Sequence, residues 1–362
     1  MHLRPRRQVT TAGLAIIAVA LAACSSSSSP TTTSSSSASA SSSSAQLSGT
    51  LNGSGSTFQT VYQEAAISAF KSVQPNMTVN YGSGGSGKGR TDLASGVTNF
   101  GGSDSPIPAA EVPNFHGKTV LYFPVFLGPI TVSYNLSGVS SLKLDATVLA
   151  EIFSGKITSW NNSAITALNP GVSLPSTPIT LAVRSDSSGT TQNFSLYLQT
   201  AAGSDWTLGS NSIIKWPSTA RAGSGNPGVA SIIKSTPGAI GYVDYADAKA
   251  SGLTFASIKN SSGSYITPSP SSASAAGSGI TVASNLTFHA VDSSNAQAYP
   301  ITYQSWVLVY AMQPNANDAA MLKAYIGYLI GAGQQLLGGL GYAPLPSSLQ
   351  SQAQAQLSMI TS

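Results

Sequence analysis

Apolar residues fall along this chain in two spacings. Short apolar runs bounded by Gly, Pro and Ser predict strands over 77–81, 120–126, 130–134, 179–183, 239–243 and 306–310. Stretches with apolar positions three and four apart, such as Val61, Ala65, Ala66, Ala69 and Phe70, predict helices over 60–73, 146–154, 191–200, 229–235 and 319–332. Pro344-Leu345-Pro346 breaks the chain before a last helix over 347–359. Strands alternating with helices are the pattern of an α/β fold.

The start of the chain stands outside that alternation. Arg4, Arg6 and Arg7 precede an apolar run over 12–23 that is too short for an ordinary membrane-spanning helix and ends in Leu21-Ala22-Ala23-Cys24. A basic head, a short apolar stretch and small residues before a cleavage point describe a secretory signal over 1–23. Residues 24–46 are almost entirely Ser, Thr, Ala and Pro, a composition with nothing to bury that gives a flexible tether. Cys24 is the only cysteine, so no internal disulfide forms. The remaining residues are enough for two lobes with their own cores.

Charge narrows the function. Three of the 16 basic residues lie in the leader, which leaves the rest close to balance with 12 acidic residues. No basic run or aromatic-basic stripe points to nucleic acid. Of the three histidines His2 lies in the leader, and His116 and His289 stand in no triad context; no GxSxG elbow or cysteine–histidine ligand cluster is present. No catalytic residue, metal or cofactor is expected, although Ser86 or Ser188 as the nucleophile of a secreted phosphoryl hydrolase remains the rival reading.

Four segments carry anion-holding chemistry. Val183-Arg184-Ser185-Asp186-Ser187-Ser188-Gly189-Thr190-Thr191 offers a guanidinium fork, hydroxyl donors and glycyl backbone. By itself it also reads as an ordinary turn. Leu51-Asn52-Gly53-Ser54-Gly55-Ser56-Thr57-Phe58 is a glycine-rich loop running into a helix N-terminus, where free N–H groups attract anions. Val79 to Arg90 is a strand and a second glycine-rich lead-in to a helix; Gly82 to Lys88 fit GxxxxGK, but Gly89 stands where a nucleotide-binding loop needs Ser or Thr. Phe100-Gly101-Gly102-Ser103-Asp104-Ser105-Pro106 places an acid at a strand end, where the plain alternative is a turn cap. Lys88 and Arg90 read as helix-face or rim charges that steer an anion without touching it.

In this order the four segments resemble the phosphate-binding protein of the bacterial phosphate ABC transporter. The resemblance extends through Ile152 to Asn161, Gly225-Asn226-Pro227-Gly228-Val229, Thr236-Pro237-Gly238-Ala239-Ile240-Gly241-Tyr242-Val243-Asp244-Tyr245 and Tyr299-Pro300-Ile301-Thr302. It implies a two-lobed type II periplasmic-binding-protein fold with the ligand in the interlobe cleft. Lobe I would be 47–122 plus 303–362 and lobe II 123–302, with crossings near Phe123 and Thr302. Cys24 looks like the lipid-bearing cysteine of a bacterial lipoprotein, which would anchor a monomer to the outer face of the cell membrane. There it would bind inorganic phosphate and hand it to a membrane permease driven by a cytoplasmic ATPase.

Carried over residue by residue, the resemblance implies that Thr57, Phe58, Ser86, Asp104, Arg184, Ser188, Gly189 and Thr190 hold phosphate, with Asp186 behind Arg184. Thr57 and Phe58 would give backbone N–H groups, and Arg184 the full positive charge, which a buried guanidinium keeps only beside a carboxylate. The plain reading of the Arg184–Asp186 pair is a surface bridge of little worth. Ser187 stands where the family often has Gly, which bears on the turn geometry. Asp104 would decide ligand identity: an ionised carboxylate is tolerable beside an anion only when the anion brings a proton, as phosphate does and sulfate does not. A sulfate-like oxyanion ligand stays the alternative if Asp104 does not face the anion.

Overall fold

The structure, a computed structural model, describes residues 46–362. The leader, Cys24 and all of the tether but Gln46 lie outside the described residues. Strands are β1 (Gly49–Gly55), β2 (Met77–Ser83), β3 (Phe100–Ser103), β4 (Val120–Tyr134), β5 (Lys143–Leu144) and β6 (Thr180–Arg184). They continue with β7 (Arg221–Gly223), β8 (Ala239–Asp244), β9 (Thr254–Phe255), β10 (Ser257–Lys259), β11 (Tyr265–Ile266) and β12 (Thr302–Tyr310).

Helices are α1 (Thr60–Phe70), α2 (Ser86–Ala94), α3 (Ala146–Phe153), α4 (Ser163–Leu168), α5 (Gly189–Ala201) and α6 (Gly225–Ser235). After them come α7 (Tyr245–Ala250), α8 (Pro270–Ala276), α9 (Ala316–Ile330), α10 (Leu337–Leu340) and α11 (Ser347–Gln356). None of these is long and apolar enough to cross a membrane.

One sheet organises the described residues, in the order β2-β1-β3-β12-β4-β8-β6-β7 with β9 on β4. The two strands expected over 120–126 and 130–134 are one strand. β4 pairs antiparallel with β12 from Val120 to Pro129, then with β8 from Ile130 to Tyr134. Both prolines of β4 fall where a ladder tolerates a missing N–H. Pro124 adjoins the bulge opposite Ser305 and Trp306, and Pro129 stands where β12 gives way to β8.

The first residues of the stretch read as a loop, Leu51 to Gly55, belong to the strand β1, parallel to β2 and β3. Its ladder and the burial of its last residues against the core override the low strand propensity of Gly and Ser. A continuous apolar core runs through both halves of the sheet, from Phe58 and Tyr62 through Phe126 and Trp306 to Phe194 and Tyr242. Phe58 is at its centre, stacked on Tyr303 at 4.0 Å and edge-on to Phe126 and Tyr342.

Candidate functional site

Helix N-termini from both halves of the sheet meet at one buried cluster. A short 3-10 turn, Thr57–Gln59, leads into α1, and Thr57 Oγ1 accepts from the backbone N–H (3.3 Å) and Nδ2 (3.1 Å) of Asn226 at the start of α6. Asn226 Nδ2 also reaches Thr190 Oγ1 at the start of α5 (3.3 Å). Gly189, the first residue of α5, lies against Ser86, the first residue of α2. Four N-termini with first-turn N–H groups therefore bound the same small region, the arrangement that attracts an oxyanion.

Local sequence brings each one there. Ser188 caps α5 through its Oγ, which accepts from Thr191 N–H (3.1 Å). Gly85 precedes α2 at φ 91°, and a Cβ there would meet Asp186 Oδ2, so only glycine serves. Ser187 keeps its turn because Gly87 faces it: a Cβ on Gly87 would lie 2.3 Å from Ser187 Cβ, and Gly87 N–H instead donates to the Ser187 carbonyl (2.9 Å).

Asp104 leaves the end of β3 with 1% of its surface exposed. Ser56 donates to both its oxygens (2.7 and 2.6 Å), Ser305 to Oδ1 (2.5 Å) and Ser86 to Oδ2 (3.2 Å). Its carbonyl accepts from Asn193 Nδ2 (2.7 Å) and Gln304 Nε2 (3.3 Å). Burial raises the Asp104 carboxyl above the usual carboxylate range; the donated hydroxyls of Ser305, Ser56 and Ser86 and the charge of Arg184 oppose that rise without cancelling it.

Arg184, 5% exposed at the end of β6, is clamped by Asp186 through Nε to Oδ1 (2.8 Å) and Nη2 to Oδ2 (2.5 Å), and its Nη1 donates to Thr190 Oγ1 (3.2 Å). Asp186 Oδ1 also accepts Gly225 N–H (3.0 Å). Burial works against the Asp186 carboxylate, but the guanidinium and the N–H outweigh it and hold the group below its usual range. The bridge is therefore buried on its Arg184 side and half-buried at Asp186, not the weak surface pair of the plain reading.

Thr57, Ser86, Asp104, Arg184, Asp186, Ser188, Gly189 and Thr190 thus converge. Phe58 differs: its ring is in the aromatic core and its N–H donates to Ser56 Oγ (3.1 Å). Arg90 differs from its reading as a rim charge. It is fully buried, forks onto Glu111 (2.6 and 3.0 Å) and braces the β3 end through Ser103 and Ser105. Lys88 is half exposed and pairs with Asp92 one turn along α2. Ser56, Asn226 and Ser305 join the cluster although the sequence did not single them out. Ser56 and Asn226 stand inside motifs quoted for other residues, whereas Ser305 comes from β12 with no local signal.

Among the described residues no histidine stands beside the serines of the cluster. His116 and His289 are exposed and make no hydrogen bond to it, and no group of three or more His, Cys, Asp or Glu among the described residues could hold a metal. The arrangement can surround a small oxyanion with N–H, hydroxyl and guanidinium donors and one carboxylate acceptor.

Known proteins resemble this chain in sequence and in fold. A family model described as a PBP superfamily domain matches residues 40–332. Phosphate-binding protein PstS 3 of Mycobacterium tuberculosis is 37% identical over 321 residues, 86% of each chain. PstS 2 of the same organism is 34% identical over 327 residues, 86% of this chain and 87% of the relative. Among solved structures, a high-affinity periplasmic phosphate-binding protein bound with phosphate aligns with TM-score 0.69 and 22% identity over 85% of this chain and 94% of its own. A phosphate-binding protein from Stenotrophomonas maltophilia aligns with TM-score 0.69 and 17% identity over 85% and 93%. At those identities the likeness is one of fold.

Proposed function

The chain belongs to the phosphate-binding protein family of these mycobacterial relatives, and on that premise we propose that it binds inorganic phosphate outside the cytoplasm and delivers it to the permease of an ABC transporter. The observation that carries this reading is Asp104: a buried carboxylate inside a cluster of anion-attracting helix N-termini, beside Arg184. An acceptor in that place suits an anion that brings its own proton and repels one that does not.

Thr57, Ser86, Arg184, Ser188, Gly189 and Thr190 supply donors around the anion, Phe58 a backbone position at the first loop, and Asp186 the fixed orientation of Arg184. The protein acts as a binder and not an enzyme, a reading supported by relatives named for binding. Two lobes, joined through β4 and the start of β12, close on the ligand, and the closed form docks on the permease as a monomer while a cytoplasmic ATPase powers transfer. Leu21-Ala22-Ala23-Cys24 supports removal of 1–23, lipid on Cys24 and a tether over 24–46 that lets the domain reach the membrane partner.

The test is calorimetric titration of the purified full chain, stripped of carried-over ligand, with phosphate and then sulfate. Phosphate heat without sulfate heat is the expected result. A folded sample giving no phosphate heat would sink the reading.

A further inference from the structure

A buried polar chain runs from α9 to the back of Asp104. Tyr325 donates its hydroxyl to Gln63 Oε1 (2.6 Å), and Gln63 Nε2 donates to Gln59 Oε1 (2.9 Å). Gln59 Nε2 then donates to Ser305 Oγ (2.8 Å), and Ser305 donates to Asp104 Oδ1 (2.5 Å). Tyr325, Gln63, Gln59 and Ser305 have no exposed surface.

Its direction is fixed by one backbone group. Gln59 Nε2 also donates to the Trp306 carbonyl (2.8 Å), which can only accept, so the amide nitrogen must stand there and Oε1 must face Gln63. Gln63 in turn must offer its nitrogen to Gln59 and its oxygen to Tyr325. Ser305, already accepting from Gln59, has its own hydrogen left for Asp104.

The other two hydroxyls on Asp104 are directed likewise. Ser56 Oγ accepts Phe58 N–H (3.1 Å) and Ser86 Oγ accepts Asp104 N–H (3.1 Å), which turns both hydroxyl hydrogens toward the carboxylate. We propose that these directed hydroxyls, with the chain from Tyr325 behind Ser305, hold Asp104 as an acceptor-only group and so make the site select an oxyanion that still carries a proton. The proposal rests on the phosphate-binding reading and adds Ser305, Gln59 and Gln63 to it as positioning residues.

A proton on Asp104 would have to displace one of the directed hydrogens, so the chain opposes what burial alone would do. The other groups whose charge acts on Asp104 or feels it are Arg184 from β6, Tyr81 from β2, Tyr303 from β12 and Tyr342.

The test is carbon-13 NMR titration of the aspartate carboxyls in the phosphate-free full chain, with Asp104→Asn identifying the resonance. Ser305→Ala and Gln63→Met are each expected to raise the Asp104 midpoint, the former by about one pH unit. Ser305→Thr, which keeps the hydroxyl, is expected to return it toward the parent value. Below the raised midpoint, sulfate should displace phosphate from Gln63→Met at a pH where the parent excludes it. An unchanged midpoint in Gln63→Met overturns the chain even if Ser305→Ala moves, and Gln63→Met serves alone should Ser305→Ala not fold. Because the midpoint is read without phosphate, failure of the chain is separable from failure of phosphate binding, which calorimetry reads.

Discussion

Gly189 faces Asp104 so closely that a Cβ on it would stand 2.8 Å from Asp104 Oδ2 and 2.6 Å from Asp104 Cβ. The same atom would lie 2.5 Å from Ser86 Oγ. Gly189→Ala is therefore expected to push α5 away from α2, weakening phosphate binding roughly 10- to 100-fold, the reach of a 1–3 kcal/mol overpacking cost. Titration calorimetry beside a circular dichroism melt checks it; parent-like affinity would show that the two helices part at no cost.

Arg184→Lys keeps one charge and loses the fork that engages Asp186 and Thr190 together. Asp186 is left with Gly225 N–H and a point charge. A loss of about 100-fold or more in phosphate affinity is expected, since a bidentate guanidinium is not replaced by an ammonium. Binding within a few-fold of the parent would mean that only the charge matters.

Asp104→Asn puts an amide donor where the parent has acceptors. Phosphate affinity should fall by roughly 10- to 100-fold and measurable sulfate binding should appear. In the parent the same gain of sulfate binding should come on acidification, as pH falls through the raised Asp104 value and the neutral carboxyl becomes a donor. Competition of sulfate against phosphate across pH reads both.

Asp244, 1% exposed, caps α7 through Oδ1 to Asp247 N–H (2.9 Å), and its carboxyl meets that of Asp247. Burial, then the charge of Asp247, pushes it well above the carboxylate range, against a smaller opposing pull from Arg184; Asp247 is itself raised, by burial and the charge of Glu64. A raised native value means that the folded state holds the proton more tightly than the unfolded chain. This stabilising contribution is complete below the unfolded carboxylate value, near 4, and is lost as pH rises through the native one. The protein should thus melt higher at mildly acid than at neutral pH. Asp244→Asn, which still caps a helix, should recover on the order of 1 kcal/mol at pH 7 and flatten that rise. Calorimetric melts of the two proteins from pH 5 to 8 decide it.

The alternation of strands and helices was legible because it rests on local periodicity. Helix starts were read late, as at Gly189 and Gly225, because glycine carries no propensity signal there; close approach and capping choose it. β1 was hidden for the same reason, its Gly and Ser pairing only because β2 and β3 flank it. β4 looked like two strands because a change of partner at Pro129 resembles a turn in sequence. Residues within the quoted motifs were findable near the cluster. Ser305 was not, since it reaches the Asp104 carboxylate across 201 positions, with Gln304 beside it reaching the Asp104 carbonyl.

The clamp of Arg184 by Asp186, with Asp104 opposite, leaves this pocket with one cationic group against two carboxylates. Beyond Arg184, its pull on an anion comes from aligned peptide dipoles and neutral hydroxyls, whose fields die away within a helical turn. Salt screens buried groups of this kind less than it screens charges exposed to solvent. Capture built in this way should depend on salt less steeply than capture by a basic cleft, whose long-range steering fades as salt rises.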